Sequence, residues 1–178
     1  MTSSAQLIVL DAIAAERTTE AAALVFEYMA MTQAETGRPV PDDIGRLPSV
    51  LRAECESLDS FYKTPGAFLL ACRDEEPIGC VGLKPLPQPG AVEVKRLYVR
   101  PAHRGGVARV LMSHAHRHAY QRGFTRVVLD VLPERPAVID FYRRLGYTDT
   151  APYVAEAFNM IYLERPTSAA DAALEIDV

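Results

Sequence analysis

Long hydrophobic runs are missing from this chain of 178 residues. No apolar stretch approaches the roughly 20 residues that a helix needs to span a bilayer, which argues against a membrane protein. The start, MTSSAQLIVLDA, has no basic region and too short an apolar core for a signal peptide. Cysteine is scarce: Cys55, Cys72 and Cys80 are an odd number without the spacing of metal ligands. Such cysteine usage suits the reducing cytoplasm, so we expect a cytoplasmic protein.

A strong excess of either charge is also missing. The formal net charge of −4 argues against a general polyanion binder, so no nucleic acid is expected as a partner, and no membrane. Hydrophobic residues make up 49% and charged residues 24% of the chain, which is ordinary globular usage. A chain of this length can bury about 70% of its unfolded surface, so the fold needs no metal or disulfide to hold it.

The hydrophobic pattern predicts strands and helices in the order β-α-α-β-β-β-α-β-α-β. This order indicates an α+β or three-layer α/β fold, with a mixed sheet and helices on its faces. We expect a single domain over residues 1–165 and a flexible tail over 166–178. An exposed sheet edge near 157–163 would allow a homodimer. The predicted strands are 6–10, 67–72, 77–83, 92–99, 125–131 and 157–163, and the predicted helices are 19–34, 46–61, 107–121 and 136–145.

The segment VEVKRLYVRPAHRGGVARVLM, residues 92–112, predicts a strand, a glycine-bearing turn and a helix. Glycines at such a turn let the backbone approach a ligand, and the N-terminus of the new helix favours an anion. Arg104, next to Gly105 and Gly106, would add a planar cation suited to phosphate. A tight turn that needs glycine only for its backbone is the alternative. The turn is neither a Walker A loop, because no Gly-Lys-Ser/Thr follows, nor the dinucleotide fingerprint, which needs three spaced glycines.

The segment RVVLDVLPERPAVIDFYRRLGY, residues 126–147, predicts a second strand followed by a helix. Gly146 is well placed to end that helix in the left-handed conformation. The spacing alone favours Tyr142 as a core aromatic on an apolar stripe. The stripe consists of Val138, Phe141, Tyr142 and Leu145.

Together these segments resemble the GNAT N-acetyltransferase superfamily over roughly residues 67–163. KRLYVRP and the glycine turn are similar to the strand-loop-helix signature of its bacterial members, and FYRRLGY is similar to its Tyr-x-x-x-Gly-Phe ending with Tyr147 in place of Phe. The resemblance implies a mixed, mostly antiparallel sheet of six to seven strands flanked by about four helices. It also implies acetyl-CoA as co-substrate, no metal, and direct acetyl transfer to a primary amine of a small or amino-acid-like molecule.

Three other functions stay open at this point. A domain of the same fold could bind or sense acyl-CoA without catalysis, and a related enzyme could acetylate protein amines. An unrelated nucleotide-binding α/β protein is the third alternative.

The resemblance also implies which residues hold the co-substrate. The pantetheine would pair with the backbone of Leu97, Tyr98 and Val99, and the pyrophosphate would lie over the N–H groups that follow. Two positions depart from the family pattern. The first departure is His103, which stands at the first position of the pattern Gln/Arg-x-x-Gly-x-Gly/Ala. If Arg104 takes that position instead, the loop is one residue shorter than in the family. The second departure is Arg135, which stands where many members carry Asn. The expected pyrophosphate residues are Arg104, Gly105, Gly106, Val107, Ala108 and Arg109.

Three groups are expected to carry the transfer. An alkyl amine is mostly protonated at neutral pH, so a general base helps, and the resemblance points to Glu93. The alternatives are that Glu93 pairs with Lys95 or lies at the solvated start of its strand. Tyr142 would protonate or hydrogen-bond to the CoA thiolate, and the Leu97 N–H would hold the oxyanion.

Residues 20–62 and 146–163 are expected to wall the acceptor site. Acidic residues in the first range would suit a cationic amine, although charged helix faces are usually only solvated. These residues are Glu27, Glu35, Asp42, Asp43, Glu54, Glu56 and Asp59.

Two other side-chain patterns are assigned no chemistry. His114 and His118 are four residues apart on one helix, but no third ligand is evident, so a surface or half-buried pair is expected rather than a metal site. Cys72 and Cys80 fall inside strand patterns and are expected to be buried, inert thiols.

Overall fold

The computed structural model describes residues 6–155 and 159–173. Within these residues, seven strands form one sheet in the order β1-β2-β3-β4-β5-β7-β6. The strands are β1 Leu7–Asp11, β2 Ala67–Arg73, β3 Glu76–Pro85, β4 Ala91–Val99, β5 Arg126–Val131, β6 Thr148–Asp149 and β7 Ile161–Pro166. The helices are α1 Thr18–Glu35, α2 Ser49–Glu56, α3 Leu58–Phe61, α4 Val107–Gln121, α5 Pro136–Arg144 and α6 Ala169–Ala173. None of the helices in this part of the chain combines the length and the apolar character required to cross a membrane.

Neighbouring strands are antiparallel everywhere except between β4 and β5. The parallel pair is joined by α4, because parallel neighbours need a crossover connection rather than a tight turn. The mixed, mostly antiparallel sheet and the α+β three-layer class are therefore confirmed.

Helices cover both faces of the sheet. Val107, Leu111 and Met112 of α4 pack with Ile139 and Tyr142 of α5 in the core on one face. The core on the other face belongs to α1, α2 and α3; its helical members include Leu24, Val25, Met29, Cys55 and Leu58. Side chains alternate along a strand, so Val92 and Val94 enter the α4 core while Glu93 and Lys95 lie on the α1 face.

The predicted helix 46–61 is interrupted. It consists of a 3₁₀ turn at Ile44–Arg46 followed by α2 and α3, which are separated at Ser57, where φ is −138°. Ser favours non-helical conformations because its hydroxyl competes for nearby backbone groups. With α6, this interruption explains why residues 6–155 and 159–173 contain six helices where about four were expected.

The connection between the predicted strands 67–72 and 77–83 is shorter than expected. β2 runs to Arg73 and β3 begins at Glu76, so only Asp74 and Glu75 turn the chain, with φ of +50° and +68°. A two-residue hairpin of this kind needs positive φ at both central positions to match the twist of its strands.

The last strand begins later than predicted. β7 starts at Ile161, whereas the prediction began at 157; residues 156–158 lie outside the described part of the chain. β6 pairs with Leu163 and Glu164 on one side of β7 and β5 pairs on the other, so β7 is not an edge strand. The reason offered for a homodimer is therefore wrong, and the homodimer itself stays a prediction.

Part of the predicted tail is folded. In the described portion, residues 166–173, α6 buries Asp171 to 1% exposure. Arg165 Nη2 donates to its Oδ1 at 2.7 Å and the Ser168 N–H donates to its Oδ2 at 2.8 Å. The described part of the predicted tail thus holds a short helix that ends at Ala173, whereas the boundary between domain and tail stays a prediction. Residues 174–178 lie outside the described part.

All three cysteines are free and buried. Burial raises the pKa of the Cys55 thiol to about 11 and also raises the pKa values of Cys72 and Cys80. Because the thiolate is the reactive form, these thiols are inert at neutral pH.

Candidate active site

A gap opens in the sheet between β4 and β5. The two strands pair only where Ala91–Glu93 lies beside Arg126–Val128. β4 then continues to Val99 and β5 to Val131 without further pairing between them, and within residues 6–155 and 159–173 no other strand lies on that side of β4. The edge of β4 at Leu97–Val99 therefore borders an opening in an otherwise continuous sheet.

A β-bulge lies in the same stretch of β4. Lys95 is opposite Gly82 and Tyr98 is opposite Cys80, so Arg96 and Leu97 together face one residue of β3. Arg96 has a φ of +59°, in the left-handed region. A bulge bends its strand and re-aims the local backbone, here at Leu97 on the open edge.

The glycine turn lies at the N-terminus of α4. Gly105 and Gly106 have φ of +112° and +109°, and a Cβ built at either would meet no atom within 4 Å. Their conformation, rather than crowding, therefore requires glycine. The first bond within the helix runs from the Val110 N–H to Gly106 O, so the N–H groups of Val107, Ala108 and Arg109 precede it. With the positive end of the helix dipole, this turn is suited to an anion.

Arg104 is turned away from these N–H groups. Its Nη2 lies 3.3 Å from Met31 Sδ on α1, and its Nε lies 3.5 Å from Val99 O. Arg109 is exposed on the first turn of α4. A phosphate contact from Arg104 stays a prediction, and it requires the guanidinium to leave Met31.

Tyr142 is buried in the core beneath α5, with 6% of its surface exposed. Its ring makes edge contacts with Phe141 at 5.4 Å and Tyr147 at 5.5 Å. Burial raises the pKa of the Tyr142 hydroxyl well above its ordinary value, Tyr28 adds to the rise, and Arg135 opposes it. The phenol therefore keeps its proton at neutral pH. The core location predicted from spacing is confirmed, and the catalytic role stays a prediction.

Glu93 lies inside a polar cluster on the α1 face of the sheet. It is 2% exposed, which excludes the solvated strand start. Tyr153 Oη donates to its Oε1 at 2.9 Å, and Lys95 Nζ lies 3.0 Å from the same oxygen. Lys95 Nζ is also 3.8 Å from Asp130 Oδ1. Burial disfavours the charged lysine, but Asp130 and Glu93 outweigh it and raise the pKa of Lys95.

Tyr153 was not found by sequence reasoning. It belongs to the connection between β6 and β7, where no periodic pattern marks it. Its ring contacts Tyr162 edge-on at 5.4 Å, and its carbonyl accepts from Gln88 Nε2 at 2.7 Å. Asp130, by contrast, was visible in principle as the one acidic residue in the largely apolar strand RVVLDV.

Most of the acidic residues expected to attract a cationic acceptor are already paired with arginines. An ion pair offers little net charge to a ligand, so these residues no longer argue for a cationic acceptor. The pairs are Glu27–Arg100, Glu35–Arg135, Asp42–Arg46, Asp43–Arg46, Glu54–Arg96 and Glu56–Arg52.

Arg135, at the position where many GNAT members carry Asn, is directed towards α1. Its Nε lies 3.0 Å from Glu35 Oε2, and its guanidinium carbon lies 6.0 Å from the centre of the Tyr28 ring. The guanidinium carbon of Arg96 lies 5.7 Å from the same ring. The ring of Tyr28 therefore makes cation–π contacts with two guanidinium groups, and Tyr28 lies close enough to Tyr142 to raise its pKa.

The histidines of α4 contact protein groups. His118 Nε2 lies 3.1 Å from Pro65 O, and burial lowers the pKa of His114. Among residues 6–155 and 159–173, no group of three or more His, Cys, Asp or Glu residues is placed to hold a metal ion.

The sequence matches the model of the Acetyltransferase (GNAT) family over residues 31–147. This chain belongs to the GNAT acetyltransferase family. The predicted family is thus confirmed, and the glycine turn and Tyr142 both lie within the matched region.

Relatives of this GNAT chain include an uncharacterized N-acetyltransferase of Schizosaccharomyces pombe, 34% identical over 108 residues, which are 57% of this chain and 65% of the relative. The streptothricin acetyltransferase of Streptomyces lavendulae is 35% identical over 81 residues, 41% of this chain and 43% of that protein. The chain thus spans less than two thirds of the length of these relatives. The crystal structure of PaiA N-acetyltransferase from Thermoplasma acidophilum in complex with coenzyme A has a TM-score of 0.65 and 18% identity, covering 90% of this chain and 99% of that one. This last similarity shows the fold.

Proposed function

We propose that this chain is an acetyl-CoA-dependent N-acetyltransferase that transfers acetyl directly to a primary amine of a small or amino-acid-like molecule. The observation that carries the proposal is the gap that opens between β4 and β5 after Glu93, next to the glycine turn of α4. Family membership and the coenzyme A complex of PaiA support the choice of co-substrate. The cytoplasmic location stays a prediction.

The residues around the gap fit acetyl-CoA. The open space at Gly105 and Gly106 and the N–H groups of Val107–Arg109 suit its pyrophosphate. The edge of β4 at Leu97–Val99 would offer backbone groups to the pantetheine amides. When bound, acetyl-CoA supplies an acyl group already activated as a thioester.

Glu93 is assigned the role of general base. An alkyl ammonium with a pKa of about 10 is well under 1% neutral at pH 7, so removing its proton assists the attack. Tyr153 and Lys95 both contact Oε1 and thereby fix the orientation of the carboxylate. The amine proton would therefore be transferred to Oε2 of Glu93.

Two groups would stabilise the charge that develops during transfer. The Leu97 N–H, at the bulge, would donate to the oxyanion. Tyr142 would donate a hydrogen bond to the departing thiolate. Full proton transfer from a phenol of pKa above 10 to a thiolate near 8.5 is uphill by at least about 2 kcal/mol, so hydrogen bonding is the role assigned to Tyr142.

The polar cluster indicates what kind of amine would be accepted. The carboxylates of Glu93 and Asp130 and the ammonium of Lys95 together give the cluster one net negative charge. This charge suits an acceptor with a single ammonium group. The paired acids of α1 and α2 add little to this balance. A small acceptor is supported by the streptothricin acetyltransferase, which is named for a small molecule.

The test combines binding and turnover. Millimolar coenzyme A should raise the Tm of the protein, and acetyl-CoA should release free thiol with small primary amines. Thiol release only with peptides that carry a free N-terminus would replace the small molecule by a protein acceptor. Protection by ATP or NAD, but not by coenzyme A, would end the assignment.

A non-catalytic acyl-CoA-binding domain remains the second candidate because of the turn itself. Either His103 stands at the first position of the family pattern or the loop is one residue short of it. Arg104 lies against Met31 instead of over the turn. Tight coenzyme A binding without thiol release from any acceptor would favour this candidate.

A further inference from the structure

An ion pair joins α2 to the bulge of β4. Arg96 Nε donates to Glu54 Oε1 at 2.9 Å, and Arg96 Nη2 donates to Glu54 Oε2 at 2.7 Å. The Glu54 side chain is 4% exposed and that of Arg96 is 18% exposed. The pair is thus bidentate and almost dry, the geometry in which a guanidinium and a carboxylate restrict each other most.

Further contacts hold both partners. Tyr62 Oη donates to Glu54 Oε1 at 2.6 Å, and the Tyr62 ring packs where a Cβ on Gly82 would lie. The Cys80 thiol donates to Arg96 O at 3.3 Å. The carboxylate, the guanidinium and the carbonyl of the bulge therefore each have a fixed partner.

The backbone conformation of Arg96 that these contacts maintain is energetically unfavourable. A residue with a side chain loses about 1 kcal/mol or more in the left-handed region that Arg96 occupies. Such conformations persist where the surroundings over-determine them. Replacing a buried ion pair by apolar residues of similar size is often neutral for stability, so a gain in net stability does not account for this pair.

We propose that Arg96 and Glu54 are positioning residues that hold the bulge so that the Leu97 N–H is aimed into the gap between β4 and β5, at the oxyanion of the transfer reaction. The inference rests on the proposed function. Neither Arg96 nor Glu54 contacts the acetyl group; both act through the backbone of Leu97.

The chain offers a matched control in a second bidentate pair. Arg100 donates to Glu27 at 3.0 Å and 2.8 Å, and thereby joins the end of β4 to α1. Arg100 has a φ of −52° and lies beyond the bulge. Arg100 Nη1 also donates to Glu76 Oε1 at 3.0 Å. Loss of Arg100 should remove both ion pairs without changing the direction of the Leu97 N–H.

The decisive variant combines Arg96→Gly with Glu54→Gln. Glycine adopts a φ of +59° without strain, and the glutamine leaves no buried charge unpaired, so the bulge is allowed but not anchored. We expect kcat to fall by about 10- to 100-fold, part of the loss caused by removing an oxyanion donor, with the KM for acetyl-CoA changed less than about threefold. Arg100→Gln should keep kcat within about twofold.

A second measurement does not depend on activity. Hydrogen exchange of the β4 amides that bond to β3 on either side of the bulge, measured without substrate, should become about tenfold faster in the double variant and stay unchanged in Arg100→Gln. An unchanged kcat together with unchanged exchange in the double variant overturns the proposal. Equal losses in both variants overturn it too, because they would show a general effect of losing an ion pair.

Arg96→Lys covers the case in which the double variant does not fold. Lysine keeps the charge and loses the bidentate contact, so we expect an intermediate fall in kcat at unchanged KM. Full activity with unchanged exchange of the β4 amides beside the bulge contradicts the proposal. If the wild-type protein shows no turnover at all, the proposed function fails, and the exchange of the β4 amides beside the bulge still decides whether the pair holds the bulge.

Discussion

The Tyr147 hydroxyl lies 2.9 Å from Nε2 of His116 and so connects the segment after α5 to α4. Both residues are buried. Burial, assisted by the charge of Arg165, lowers the pKa of His116 to about 4, while Asp171 acts in the opposite direction. The imidazole is therefore neutral across the physiological pH range, and the pair is a neutral hydrogen bond inside the core.

The first prediction concerns acid stability. Unfolded His116 takes up a proton near pH 6.5 and folded His116 only near pH 4, so stability is lost as the pH falls through this window. Between pH 7.5 and 5 the group should lower the free energy of unfolding by about 2 kcal/mol. The paired variant His116→Leu with Tyr147→Phe removes both polar groups, and urea unfolding at the two pH values should show a smaller loss. An equal loss in the variant would mean that other groups, such as His114, control the acid response.

The second prediction concerns Tyr142. Tyr142→Phe should lower kcat by about 100-fold, because the hydrogen bond to the departing thiolate is lost, while the Kd for coenzyme A stays within about threefold. Tyr147→Phe is the matched control, since this buried tyrosine touches the Tyr142 ring but directs its hydroxyl to His116. Steady-state kinetics and calorimetric titration measure the two effects. A kcat that Tyr142→Phe leaves unchanged would exclude the hydroxyl from the reaction.

The third prediction concerns Glu93. Glu93→Gln should reduce kcat/KM by about 100-fold and remove the acidic limb of its pH profile, because the amide does not take up the proton of the amine. Tyr153→Phe keeps the carboxylate and loses one of its donors, so a smaller fall with the limb retained is expected. Should the limb persist in Glu93→Gln, a water molecule or another residue is the base.

The fourth prediction concerns the glycine turn. Gly106→Ala should weaken coenzyme A binding by about tenfold, because a residue with a Cβ is strained at a φ of +109° and shifts the N–H groups that follow. Gly123→Ala, at the opposite end of α4, carries a similar strain at a φ of +80°, and its Cβ likewise meets no atom within 4 Å. It should lower the Tm without changing the Kd for coenzyme A. Equal Kd values for both variants would move the pyrophosphate away from this turn.

Local patterns predicted the secondary structure around the glycine turn of the candidate site. The strand, glycine turn and helix around Gly105 and Gly106 follow from adjacent residues, because glycine and an apolar helical stripe report on their own surroundings. The predicted helix 107–121 has the bounds that the structure gives to α4. Tyr142 was placed in the core by its spacing, and its chemical assignment came from the family resemblance.

Contacts between distant segments could not be found in this way. Tyr153 reaches Glu93 across 60 residues of chain, and Arg96 reaches Glu54 across 42. The charges of these residues are visible in the sequence, but their partners depend on how the strands and helices pack. The positive φ at Arg96 has no local signal either, because the residue is not glycine.

The burial of the thiols of Cys55, Cys72 and Cys80 has a practical consequence for the laboratory. A colorimetric disulfide reagent for free thiols should react only slowly with these cysteines while the protein is folded. A rapid colour change in an assay of acetyl transfer then reports only the coenzyme A released from acetyl-CoA. Titration of the same cysteines after adding denaturant gives an independent measure of protein concentration.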